Sequence, residues 1–168
     1  MSTISLVPEL SEHAEVIDAL HKTVFGPGAF ARAAFRLREQ GPHDERVSYV
    51  VLSDGELIAS VRMTPVRSGS GHLGYLLGPL AVDPKWQNAG YGKALVNEAL
   101  LAVDARSDAQ FVILVGDAPY YAPLGFQMIT PSAVTLPGPV DPRRLLVRVL
   151  GGKPLEGLFG MIRHAGSV

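Results

Sequence analysis

The sequence contains no cysteine. A disulfide framework, a thiolate zinc site and a cysteine nucleophile are therefore excluded together. Nor does it carry an excess of charge: 15 basic and 16 acidic residues leave a formal net charge of -1. That balance gives nucleic acid and anionic membranes no reason to bind. Long apolar runs are missing too, and Phe111–Val115 is far too short to span a bilayer. The N-terminal stretch MSTISLVPEL has no basic segment leading into an apolar one, so no secretory signal is expected and a cytoplasmic location is. No repeat, low-complexity tract or linker divides the chain. What is left, 168 residues at 47% hydrophobic and 18% charged, is the composition of one ordinary globular domain with a sizeable core.

Hydrophobic periodicity orders the elements. A strand is expected at Ile4–Val7. Ser11 then reads as a helix N-cap, with Glu12 and Glu15 in the first turn and Val16, Ile17, Leu20 and Val24 at helical spacing. Gly26-Pro27-Gly28 stops that helix, and a second fits Phe30, Ala33, Ala34 and Leu37 before Gly41-Pro42. The period then falls to two. Tyr49–Leu52 and Leu57–Met63 flank Ser53-Asp54-Gly55-Glu56, and Asp-Gly is the strongest short hairpin signal. Ser68–Gly71 makes a second reversal, and Tyr75–Val82 completes a three-stranded antiparallel meander. Gly78-Pro79 interrupts its last strand; proline lacks a ladder N–H, so a bulge or a splayed edge is expected there.

Farther along, Leu95, Ala99 and Ala102 form one helical stripe with Val96, Leu100 and Val103 beside it, and Lys93, Asn97, Glu98 and Asp104 take the wet side. Phe111–Val115 suits a buried strand reached by a right-handed crossover. Tyr120–Leu124 reads as a helical turn, Phe126–Ile129 and Leu145–Leu150 as strands, and Leu155–His164 as a short helix or irregular tail. The fold class is α+β: a central mixed sheet, mostly antiparallel, flanked by helices.

Chemistry is concentrated in QNAGYGKALV, Gln87–Val96, where Gly90 and Gly92 run straight into the long helical pattern. A nucleoside triphosphate loop of the G-x-x-x-x-G-K-[ST] kind fails twice. Gln87 stands where its first glycine belongs, and Ala94 follows Lys93 where a hydroxyl should hold magnesium. A dinucleotide fingerprint is weak: its third glycine position is Leu95, and the loop follows a meander instead of opening βαβ units. What remains is a strand-to-helix loop without Cβ atoms at two positions. The amides of Asn88 through Lys93 then lie open to an anion at the positive end of a helix dipole. Several charge-assisted hydrogen bonds, each about 1.5–3 kcal/mol, would hold a diphosphate without metal. The alternative is a turn that merely lets the helix pack closely on its strand.

The surrounding run LGPLAVDPKWQNAGYGKALVNEAL, Leu77–Leu100, resembles the signature of the GNAT superfamily of N-acetyltransferases. It has the apolar triplet Leu80-Ala81-Val82, the turn Asp83-Pro84, and [RQ]-x-x-G-x-[GA] as Gln87-Asn88-Ala89-Gly90-Tyr91-Gly92. A second run, VGDAPYYAPLGFQMI, is similar to the family's later element: an aromatic pair, Tyr120-Tyr121, three residues before Gly125-Phe126. The resemblance is clearest over residues 47–130, and residues 1–168 are read as a single domain of this kind. The segment 131–168 matches only in allowing a last strand.

The resemblance implies an acetyl-CoA-dependent enzyme that needs no metal. Asn88, Ala89, Gly90, Tyr91, Gly92 and Lys93 would hold the pyrophosphate, with Gln87 bracing the loop. Leu80, Ala81 and Val82 would splay from the neighbouring strand and bond the pantetheine arm as if it were another strand. A primary amine of a small molecule or peptide would attack the thioester directly, with a backbone amide near Leu80 polarising the carbonyl. Tyr121 would reprotonate the departing thiolate. Tyr120 offers a competing hydroxyl, and a tyrosine that only orders water is the alternative. The base is open among Glu56, Asp117, His72 and a water wire.

The five histidines lack metal-ligand spacing and read as surface or capping residues. Trp86 is expected to cover the helix base. Arg32 and Arg36, one turn apart, would either receive an acidic substrate or form a solvated basic face. A two-fold dimer is the default expectation for assembly. The reading opposed to an enzyme is a CoA-binding regulatory or scaffold module with the same cradle.

Overall fold

The computed structural model describes residues 3–26, 33–129, 133–151 and 157–166. Strand β1 (Ile4–Pro8) leads through a 3-10 turn, Ser11–His13, into α1 (Ala14–Phe25). Ser11 is not the cap. The chain already turns at Leu10, whose N–H donates to His13 Nδ1 at 2.9 Å. Gly26 ends α1 as expected, with φ 69°. Helix α2 (Ala33–Arg38) follows, then a 3-10 turn, Glu45–Val47, capped by the Asp44 carboxylate. Pro27, Gly28, Phe30 and Arg32 lie outside the described residues.

The meander is β2 (Tyr49–Ser53), β3 (Glu56–Arg67) and β4 (Leu73–Val82). Asp54 and Gly55 both have positive φ, 49° and 84°, the backbone a tight two-residue hairpin needs. Next come α3 (Tyr91–Arg106), β5 (Phe111–Val115), α4 (Ala118–Tyr121), β6 (Gln127–Met128), β7 (Val134–Thr135), β8 (Leu145–Val149), β9 (Gly160–Met161) and β10 (Arg163–His164). The main sheet runs β1-β2-β3-β4-β5-β8-β6, antiparallel except where α3 returns the chain so that β5 lies parallel to β4. The expected α+β architecture with a mixed, mostly antiparallel sheet is present.

Residues 157–164 contain no helix. They supply β9, paired with β7, and β10, paired with Val66 and Arg67 of β3. The reason is the length of β3: β2 pairs it only as far as Val61, leaving the rest of that edge open. Ile162, between the two short strands, is fully buried.

Two apolar layers sandwich the sheet. In β5 the alternation is plain: Val112 and Leu114 face the α3 side, Phe111 and Ile113 the α2 side. Both expected stripes of α3 are buried, Leu95, Ala99 and Ala102 with Val96, Leu100 and Val103. Each of the larger ones contributes about 1.5–3 kcal/mol by leaving water. This packing anchors α3, and therefore its N-terminus, against β4.

Candidate active site

The expected interruption at Gly78-Pro79 is both a bulge and a splay. Val61 lies opposite Leu80 but Met63 lies opposite Leu77, so Gly78 and Pro79 together face Arg62 alone. On the other edge, β4 pairs β5 only through Gly74–Leu76. The strands then part. Register decides what that opening contains. Asp83 N–H donates to Ile58 C=O at 2.8 Å. With Ala59 opposite Val82 and Val61 opposite Leu80, the alternation makes Ser60 and Ala81 the bonded pair. The N–H and C=O of Leu80 and Val82 therefore turn away from β3, into the gap. Ala81 does the reverse; its backbone belongs to the ladder and its side chain is 1% exposed.

The glycine loop closes one end of the gap. Gln87 Nε2 donates to Val82 C=O at 3.2 Å, which ties the loop to the strand. Asn88 takes a left-handed φ of 64°, and Gly90, the N-cap of α3, one of 91°. The first helical bond runs from Ala94 N–H to Gly90 C=O, 3.1 Å. The N–H groups of Tyr91, Gly92 and Lys93, ahead of it, have no intrahelical acceptor. Any Cβ on Gly92 would sit 2.6 Å from the Tyr120 hydroxyl, so glycine is needed for this close approach. Lys93 Nζ lies 5.7 Å over the same ring. Trp86 meets Tyr91 edge-on at 6.1 Å and packs on the core, covering the helix base.

Together these walls enclose a cleft of about 1040 Å³ running from the α3 N-terminus past Leu80 and Gly78 to α2. Of the expected binding residues, Leu80, Val82, Gln87, Asn88, Gly90, Tyr91, Gly92 and Lys93 line it; Ala81 and Ala89 do not. Tyr120 and Tyr121 form the facing wall, their rings 4.8 Å apart. Tyr121 is wedged between Gly116, where a Cβ would meet its ring at 2.6 Å, and Phe126 at 5.7 Å. Burial, then the neighbouring Tyr120 and Asp117, push the Tyr121 phenol above its ordinary range. The Tyr120 phenol is raised by burial as well. Tyr120 reaches the helix N-terminus with its hydroxyl, and Tyr121 and Arg38 feel one another's charge.

Among the base candidates, only Asp117 is on the cleft, exposed and 3.5 Å from Arg144. It begins α4, its carbonyl accepting from Tyr120 and Tyr121 N–H. Glu56 is exposed at the hairpin, and His72 bonds Ser70 in the β3–β4 turn at 2.7 Å. Arg36 is exposed and off the cleft. The residue that sequence reasoning missed is Arg38, which lines the cleft with Phe35. Its signal was spacing: it stands four residues after buried Ala34, on the apolar side of α2.

Glu9, His43 and Glu45 also converge, their ligand atoms within 4.8 Å. Glu9, however, is bonded by His43 at 2.5 Å and by Arg62 Nε at 2.9 Å. Burial alone would raise the Glu9 carboxyl; the bonds from His43 and Arg62 outweigh it and hold it below the usual range. A cation would have to displace a guanidinium already in place.

His21, on α1, faces this charge. Burial first, then Arg62 and Arg38, lower its pKa to about 4. The unfolded chain binds that proton more readily, so the stabilising effect is complete above pH 6.5 and lost as pH falls towards 4. Between pH 7.5 and 5 the wild type is expected to lose about 2 kcal/mol more stability than His21→Gln, read from urea midpoints at each pH.

The fold and cleft define a transferase built around an extended, anion-bearing carrier. The sequence model of the acetyltransferase (GNAT) domain matches residues 44–128, just over half of the chain. The chain belongs to the GNAT acetyltransferase family. It is 28% identical over 158 residues to the uncharacterized N-acetyltransferase YhbS of Escherichia coli K12, covering 93% of each. The crystal structure of E. coli YhbS in complex with CoA is similar with a TM-score of 0.79 and 27% identity, over 97% of this chain and 89% of that one. A Brucella melitensis GNAT acetyltransferase in complex with acetyl-CoA shares the fold at TM-score 0.69 and 22% identity, over 98% and 97%. Among the described residues, no helix is long and apolar enough to cross a membrane.

Proposed function

We propose that this protein, acting as one domain, transfers acetyl from acetyl-CoA to a primary amine of a small molecule or peptide by direct attack. The observation that carries the reading is the continuity of two donor sets. The N–H groups of Leu80 and Val82 turn into the same cleft that the unpaired amides at the start of α3 enter. A diphosphate meets the amides of Tyr91, Gly92 and Lys93 at the helix's positive end. The pantetheine arm then follows the free edge of β4, using the backbone of Leu80 and Val82. E. coli YhbS, crystallised with CoA, supports the choice of carrier.

At the far end Leu80 N–H polarises the thioester carbonyl. The amine nitrogen bonds the carbonyl carbon, the C–S bond breaks, and the thiolate takes the Tyr121 proton. The nitrogen's surplus proton passes to water in the open cleft and water returns one to the Tyr121 phenolate, so acetyl-CoA plus amine becomes amide plus thiol with protons balanced. Thermal denaturation tests the reading. Saturating CoA is expected to raise the melting temperature by several degrees, because it binds only the folded state, while ATP and NAD do much less. Stabilisation by ATP or NAD but not CoA would reject it.

A further inference from the structure

We propose that the acetyl acceptor is an amine that also carries a carboxylate, and that Arg38 binds this carboxylate beside the thioester. The proposal rests on the acetyltransferase reading of the cleft. Arg38 ends α2 with its guanidinium carbon 4.9 Å from the centre of the Phe35 ring. Its Nε is closed to solvent and has no hydrogen-bond partner. Among the described residues no carboxylate pairs with it. Neighbouring Arg62 shows the contrast: its Nε bonds Glu9 at 2.9 Å and its Nη1 lies 3.9 Å from Asp18. A half-buried cation without a counter-charge is costly, and an anionic ligand offsets part of that cost. Burial, then Arg62, pull the Arg38 pKa down to about 9.

Position gives the unpaired charge a use. Arg38, Phe35 and Pro79 border both the main cleft and a second cavity of about 470 Å³ between α1, α2 and β3. Gly78, at φ 121°, lacks the Cβ that would lie 2.6 Å from Arg38 Nη2 and 3.7 Å from Leu80 N. Guanidinium and proposed carbonyl-polarising amide therefore converge on one point. A carboxylate held there keeps an amine one or two carbons away within reach of the thioester.

The second cavity also contains His21, whose Nε2 is closed to solvent and unpartnered. Its other charged walls are Asp18, Lys22, Glu39, His43 and Arg62. Asp18 and Glu39 are exposed, and Asp18 faces Arg62, which leaves Arg38 as the cation in need. One unpaired cation is balanced by one negative charge. The planar guanidinium fork matches a carboxylate in bidentate fashion, whereas a phosphate dianion would leave one negative charge over.

The test compares the common amino acids with their carboxamides as acceptors of acetyl-CoA, each rate expressed per free-base amine. For the best acceptor, wild type is expected to favour the carboxylate at least tenfold in kcat/KM. Arg38→Gln should collapse that ratio at least tenfold, chiefly through KM, and Arg38→Lys should restore part of it. The CoA melting shift, taken on every variant, reports whether the cofactor cleft is intact. If Arg38→Gln does not fold, the ratio in Arg38→Lys, which keeps the charge but loses the fork, is expected to fall at least threefold. The proposal is overturned if wild type shows no carboxylate preference or if the preference survives in the folded variant. It is also overturned if wild type binds CoA but acetylates nothing in the panel. Absence of both CoA stabilisation and thiol release would instead overturn the acetyltransferase reading beneath it.

Discussion

Tyr121→Phe is expected to lower kcat for acetyl transfer at least 100-fold while the CoA melting shift stays within a degree of wild type. The change removes one oxygen and keeps the ring that Gly116 and Phe126 hold. Packing is preserved and only proton donation is lost, a step that contributes about 10²–10⁴-fold in enzymes. The neighbouring phenol is committed elsewhere: its hydroxyl lies against Gly92 at the α3 N-terminus. Tyr120→Phe should therefore alter CoA affinity more than kcat. Since burial raises the Tyr121 phenol, it keeps its proton throughout the neutral range. No loss of kcat attributable to Tyr121 is expected between pH 7 and 10. Thiol release under saturating acetyl-CoA measures all of this. An unchanged kcat in Tyr121→Phe moves the acid to another group.

Gly92→Asp should weaken CoA binding at least 100-fold, about 2.7 kcal/mol. The new carboxylate stands in the first turn of α3, where a negative charge stabilises a helix by about 0.3–1 kcal/mol. It also faces the amides proposed for the diphosphate, which it would neutralise and repel. The added Cβ requires the Tyr120 hydroxyl to swing aside, a movement at the end of a side chain. Gly92→Ala supplies the Cβ without the charge, and calorimetry on both variants separates the two effects. Equal, small losses in the pair would show that the diphosphate lies elsewhere.

Much of the fold was legible because its signals are local. Asp54-Gly55 determines a hairpin through its own backbone preferences, and the double apolar stripe of α3 needs a helix to bury it. The strand-to-helix loop at Gly90 and Gly92 could likewise be read from which Cβ atoms are missing. Ser11 misled because a serine before a helical pattern is a cap only if the turn begins there, and His13 made it begin earlier. The tail beyond residue 156 misled for the opposite reason. Its strands exist only because β3 outruns β2, a fact about two distant segments.

The same division runs through the candidate site. By itself the sequence determined the family resemblance, the glycine loop, the break at Gly78-Pro79 and the presence of two adjacent tyrosines. Only the tertiary structure decided that Leu80 and Val82, but not Ala81, turn their backbone into the opening, because strand register is set by partners. It alone separated Tyr120, whose hydroxyl meets Gly92 at the α3 N-terminus, from Tyr121, whose ring packs on Gly116 and Phe126. And it alone revealed Arg38 as a charge without a partner. Whether a side chain is paired depends on every surface packed around it, and no stretch of sequence contains that information.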